Sequence, residues 1–110
     1  MRVPIRISPV SKYRAKRTDG YASQAEARRG AELELMEREG LIVGLGKQIR
    51  FILIPKSKHG KEVVYVADFV YMDVETQKVA REDVKGFRTP LYKLKKRMMA
   101  ELGWEITEVK

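Results

Sequence analysis

The chain has no cysteine among its 110 residues and only one histidine. Neither a disulfide framework nor a thiolate metal site can form, so any metal would rest on oxygen ligands or on His59, which favours a hard cation. No apolar run approaches the roughly 20 residues needed to span a bilayer. The opening "MRVPIRISPV" also lacks the continuous apolar core of a signal peptide. These absences lead to the expectation of a soluble, intracellular protein with no membrane partner. No internal repeat or low-complexity tract interrupts the chain. With 44% hydrophobic residues there is material for one ordinary core and not for two.

Acidic residues are scarce in two stretches. Met1 to Gly30 holds eight basic residues against two acids, and Lys85 to Arg97 holds six against none. The whole chain carries 23 Lys and Arg against 15 Asp and Glu, a net charge of +8 with a pI near 9.8. Two basic segments flanking an acid-bearing middle point to a polyanion, and to nucleic acid in particular.

The pattern divides the chain into a basic arm over 1–21 and a single domain over 22–110. The arm, with "SKYRAKRTDGYAS", has no sustained apolar period, and Tyr13 and Tyr21 interleave its charges. "SQAEARRGAELELMEREG" predicts a helix that begins on a Ser-x-x-Glu cap at Ser23 and stops at Gly40, with Ala22, Ala25, Leu33 and Met36 apolar. "LIVGLGKQ" reads as a turn; its Gly44-Leu45-Gly46 is too short to be a nucleotide fingerprint. From Lys47 the period becomes that of strands: "QIRFILIP", a polar loop "KSKHGK", "EVVYVADFVYM", and "KVAREDVKG" after a short connection. His59, in the polar loop, reads as exposed and idle rather than as a catalytic base. Thr89-Pro90 then opens a second helix, with Leu91, Leu94, Met98 and Leu102 on one face and Lys93, Lys96 and Arg97 on another. "WEITEV" supplies a last strand. The order is α-β-β-β-α-β.

Within "VAREDVKGF" alternation separates the two adjacent acids, because residues two apart on a strand share a face. Asp83 points with Lys85, and Glu82 points the other way, as at a partly exposed strand end. A hairpin closed by "VETQ" pairs Asp73 with Lys78 and Tyr71 with Ala80, and so sets Asp68 opposite Asp83. Two carboxylates facing each other in a sheet repel by up to roughly 1 kcal/mol when exposed and by more when buried, so a positive charge belongs between them. Lys85 can supply one such charge and a divalent cation two. Glu26 lies on the first helix, on the stripe expected to face the sheet. Helix geometry alone favours it as the returning half of a capping box, with a site role as the alternative.

A glutamate in the first helix, "ADF" ending a strand segment and a following "EDVKG" resemble the PD-(D/E)xK nuclease superfamily, whose core has the same α-β-β-β-α-β order. More narrowly, "KYRAKR", "SQAEARR", "VADFVY" and "EDVKGFRTPLYKLKKR" resemble a family of small phage-encoded proteins within it. The likeness runs from about Lys12 to Val109 and extends to the phage Holliday-junction resolvases. It implies an α/β, restriction-endonuclease-like core with a mixed central sheet flanked by helices. Glu26, Asp68 and Asp83 would then ligate Mg²⁺ or Mn²⁺, and Lys85 would orient or help activate the attacking water. The implied activity is that of a metal-dependent endonuclease acting on branched or otherwise structured DNA during phage replication or recombination, in the cytoplasm of a bacterial host. Resolving a junction takes two nicks and hence a homodimer. Ala67 stands where the superfamily name has proline, and Asp83 where glutamate is more usual. Arg88 would seat a phosphate at the start of the second helix, Lys93, Lys96 and Arg97 would follow the DNA backbone, and Arg14, Lys16 and Arg17 would clamp from the arm. Taken singly, each of these cations also fits a solvated surface. The rival reading is a non-catalytic nucleic-acid-binding protein that keeps the nuclease fold, with its acids structural.

Overall fold

The computed structural model describes residues 23–84 and 88–110. Lys85 and the arm cations Arg14, Lys16 and Arg17 lie outside the described residues. Among those described, the elements run α1 (Gln24–Arg38), β1 (Ile42–Ile54), β2 (Val63–Asp73), β3 (Val79–Val84), α2 (Pro90–Glu101) and β4 (Thr107–Val109). The four strands form one sheet in the order β1-β2-β3-β4. The first two pairings are antiparallel and β3–β4 is parallel, so the fold is α/β with a mixed sheet and two helices.

Local chemistry sets the boundaries of both helices. Ser23 caps α1, its hydroxyl accepting from the Glu26 amide at 3.1 Å. Gly40, at φ 82°, takes the left-handed position just past the helix end. Thr89 caps α2 by accepting from the Tyr92 amide at 3.0 Å, with Pro90 at the first helical position. The β2–β3 hairpin closes as its loop length requires: the Asp73 amide donates to the Lys78 carbonyl at 2.9 Å, and Tyr71 pairs with Ala80.

Two apolar clusters hold the layers together. Tyr92 and Met99 of α2 pack with Ile49, Phe51, Tyr65, Ala67 and Ile106. Leu33 of α1 packs with Ile42 and Phe69. Full burial of a side chain of this size contributes roughly 1.5–3 kcal/mol, so these residues dominate the favourable side of folding. β2 passes from one cluster to the other between Ala67 and Phe69, and Asp68 stands at that boundary.

Two sequence expectations are corrected here. The segment read as a turn is the first part of β1: Ile42 pairs with Asp73 and Val43 with Met72, and the register shifts before Gly46 meets Val70. Gly44, at φ 70°, lies inside that irregularity, so its glycine serves a bulge within a strand instead of a reversal. The inward face of α2 is also different. Leu91, Leu94 and Leu102 are more than half exposed, whereas Tyr92 and Met99 are buried. Apolar residues occupy two stripes of this helix. The stripe carrying the larger ring wins, with Tyr92 lying 6.2 Å from Tyr65 between ring centroids and its hydroxyl bonded to Glu108.

Candidate functional site

The ladder between β2 and β3 runs from the hairpin to the Phe69–Glu82 pair. Immediately beyond it the strands exchange side chains in place of carbonyls. The Val84 amide donates to Asp68 Oδ2 at 2.9 Å, and the Asp68 amide donates to Asp83 Oδ1 at 3.3 Å. Asp68 and Asp83 are thus brought across from one another on neighbouring strands, each held by a backbone amide of the other strand. Asp83 is 1% exposed, so its charge sits almost wholly out of bulk water. Beside it opens a shallow cavity of about 320 Å³ lined by Val66, Asp83, Thr89, Leu91, Tyr92 and Lys95.

Glu26 is also buried, at 5% exposure. Its carboxylate is joined to that of Asp68 by one side chain: Gln48 Nε2 donates to Glu26 Oε2 at 2.8 Å and to Asp68 Oδ1 at 3.3 Å. The Ser23 cap and the Gln48 bond coexist, because the cap uses the Glu26 amide and leaves its carboxylate to reach the sheet. Gln48 was not singled out in the sequence. It sits in the middle of β1 at φ 55°, a conformation unusual for a side chain of its size.

The donors suit a hard cation, since they are carboxylate oxygens without sulfur or imidazole. Glu26 and Asp68 come within reach of the same small donor, and one or two carboxylates completed by phosphate oxygens and water is the usual Mg²⁺ arrangement. Among the described residues no three of His, Asp and Glu are gathered into a ready-made metal group. Glu26 and Asp68 are linked through Gln48, and Asp83 joins them through the backbone of β2.

Glu82 faces away from Asp83, as alternation requires, but it does not end at solvent. It is 3% exposed and is gripped by Arg29 of α1, with Nε to Oε1 at 2.8 Å and Nη2 to Oε2 at 2.7 Å. The Tyr71 hydroxyl donates to the same carboxylate. The bond to Glu82 drives the Arg29 pKa well above its ordinary value. Burial, and then the same carboxylate, push the Tyr71 hydroxyl up to about 12. The expectation of an exposed strand end fails because a partner on α1 lies 53 residues away in sequence.

The cations of the second basic segment are placed unevenly. Arg97 is 79% exposed along its side chain and approaches Glu101 only at 3.8 Å, and Lys93 is exposed. Arg88 is turned onto Glu108, donating from Nε at 2.8 Å and from Nη2 at 2.6 Å. Tyr92 Oη donates to the other Glu108 oxygen at 2.7 Å, and Lys96 Nζ lies 3.2 Å from it. Glu108 pairs in register with Asp83 across β3 and β4, so this cluster is one strand away from the carboxylate site. The Arg88 guanidinium, and then the Tyr92 hydroxyl, hold the Glu108 carboxyl down at about 2 against an ordinary 4.5. The depressed value means that the contribution of this tether to stability is complete above about pH 4.5 and is lost as pH falls towards 2. A second cavity, of about 300 Å³, runs along Arg88, Lys93, Lys96, Arg97 and Glu108. The phosphate seat expected at Arg88 is thus occupied by an internal carboxylate. His59 is exposed, with its backbone amide on the Ser57 hydroxyl.

The fold and these buried acids define a small mixed α/β domain with a carboxylate cluster at the point where two strands part. A family model described as a protein of unknown function (DUF1064) matches residues 10–108, and the chain belongs to that family. No curated protein and no solved structure matches the chain. No helix among the described residues is long and apolar enough to cross a membrane.

Proposed function

We propose that the protein is a metal-dependent endodeoxyribonuclease with a restriction-endonuclease-like core, acting on branched or structured DNA. The observation that carries this reading is the reciprocal hold of Asp68 and Asp83 where β2 and β3 part, with Glu26 drawn to Asp68 by Gln48. Glu26 and Asp83 are buried acids where water screens charge little, and a divalent cation is a suitable partner for carboxylates so placed. Mg²⁺ or Mn²⁺, when bound, supplies positive charge to the scissile phosphate and lowers the pKa of an attacking water. Glu26, Asp68 and Asp83 hold and orient that charge, and Lys85, directly after the end of β3, adds a cation at the same phosphate. Lys93, Lys96 and Arg97 provide contacts to the DNA backbone that position the duplex without reading its bases. Junction cleavage would require a two-fold dimer, and the resemblance to small phage-encoded proteins supports a role in phage recombination in a bacterial host.

The test is to incubate the chain with linear, supercoiled and four-way-junction DNA, with Mg²⁺ and with chelator. Cutting that needs the metal, and is fastest on the junction, is expected. Persistent binding with no cutting under any metal would mean that the enzyme reading is wrong. One observation favours that second, non-catalytic reading: both Asp68 and Asp83 already accept backbone amides, which is a structural use of a carboxylate.

Glu108 gives a separate expectation for binding. Its carboxylate cancels charge on Arg88 and Lys96 beside the face expected to meet DNA. Glu108→Gln should tighten DNA binding by about three- to tenfold at moderate salt and steepen the dependence of affinity on salt by up to about one phosphate contact. Fluorescence anisotropy at several salt concentrations measures both. Unchanged affinity would mean that Arg88 and Lys96 do not meet the DNA.

A further inference from the structure

Gln48 combines two features that rarely coincide. Its backbone is left-handed, at φ 55°, within a strand whose neighbours Lys47 and Ile49 keep regular pairing with Phe69 and Ala67. Its side-chain amide is the donor shared by Glu26 and Asp68. Such a conformation is disfavoured for any residue with a Cβ, and glycine would adopt it freely. Persistence of strain of this kind is a mark of sites where geometry serves function.

A cation seated between Glu26 and Asp68 could not share that place with an N–H donor. The two ends of a carboxamide have nearly the same shape, and half a turn about its last torsion exchanges NH₂ for oxygen. Resting on the metal-dependent reading above, we infer that Gln48 is a two-state residue of the cation site. Without the cation its NH₂ holds the Glu26 and Asp68 carboxylates together; with the cation the amide turns over and Oε1 becomes an additional oxygen ligand. The left-handed backbone is what aims the amide between α1 and β2, so strain in β1 pre-forms the seat.

The experiment compares Mn²⁺ binding, by calorimetry on the full chain, for the wild type, Gln48→Met, Gln48→Gly and Gln48→Glu. Met matches the length of Gln without its amide, and should weaken binding by about tenfold or more, as loss of a supporting group at a metal site does. Gly should weaken binding as much while melting at or above the wild-type temperature, because it loses the amide but relieves the backbone. Glu restores an oxygen donor, and should bind Mn²⁺ at least as tightly as the wild type while melting lower without metal. In the wild type, the Gln48 side-chain NH₂ resonances should shift on addition of Mg²⁺. Wild-type binding with an unaltered Met variant would overturn the role of Gln48 alone, and a Glu variant no tighter than Met would overturn its role as an oxygen ligand. A wild-type chain that binds no Mn²⁺ would overturn the metal-dependent reading, and this inference with it.

Discussion

Asp83→Asn is expected to reduce DNA cleavage by about a thousandfold, the loss that follows when several kcal/mol of charge stabilisation at a metal site is removed. The substitution is nearly isosteric. A carbonyl oxygen remains to accept from the Asp68 amide, so the end of the β2–β3 ladder should survive and the melting temperature should change little. What disappears is one negative charge at a position 1% exposed, where charge is least screened and most useful to a cation. DNA binding without metal should stay the same or become tighter, since the site that receives a phosphate is then less negative. Nicking time courses, together with anisotropy in the presence of chelator, separate the two effects. Wild-type cleavage by the Asn variant would remove Asp83 from the chemistry. Glu82→Gln provides the contrast: it alters the neighbouring residue on the same strand but on the α1 side, where the carboxylate meets Arg29 and Tyr71.

The difference between these neighbours was legible from period-two alternation, and the placement of Asp68 opposite Asp83 from the length of the hairpin loop. Both are local rules, and the pairing of Tyr71 with Ala80 follows them. The cap at Ser23 was equally visible, because capping depends on residues within one turn. What the sequence did not reveal depends on distance or on backbone geometry. Glu82 looked like a strand end because its partner, Arg29, is remote in the chain and nothing in "AEARRG" marks which arginine turns inward. Gln48 was one polar residue at the start of an apolar strand; its left-handed backbone has no sequence signature outside glycine and asparagine. The glycines at 44 and 46 misled for a related reason, since a bulge and a turn draw on the same residue type. On α2, two apolar stripes competed, and only contact with Tyr65 and Glu108 decides between them. The opposition of Asp68 and Asp83 could therefore be read from the sequence, whereas the side chains that Glu26, Asp68 and Glu82 meet could not.

Loss of Arg29 should be costly in stability. Arg29→Ala leaves the Glu82 carboxylate, 3% exposed, facing only the Tyr71 hydroxyl among its described partners. A tyrosine whose pKa is pushed up to about 12 remains a neutral donor under any ordinary condition and cannot replace the lost cation. Removing one member of a buried ion pair typically costs about 3–5 kcal/mol. The Arg29 side chain is 22% exposed, so the lower end of that range applies: about 3 kcal/mol, or on the order of 10–20 °C in melting temperature for a domain of this size. Arg29→Met with Glu82→Gln should recover much of the loss, because no unpaired charge is then buried. Urea unfolding of the single and double variants gives the coupling directly. A single-variant cost below about 1 kcal/mol would place the pair with ordinary surface salt bridges. The consequence should also reach the site. Arg29 follows Glu26 by one turn of α1 and Glu82 precedes Asp83 on β3, so this ion pair fixes the helix that carries Glu26 against the strand that carries Asp83. Arg29→Ala should therefore weaken Mn²⁺ binding even at temperatures where the chain remains folded, while Arg97→Ala, on the exposed face of α2, should leave metal binding unchanged.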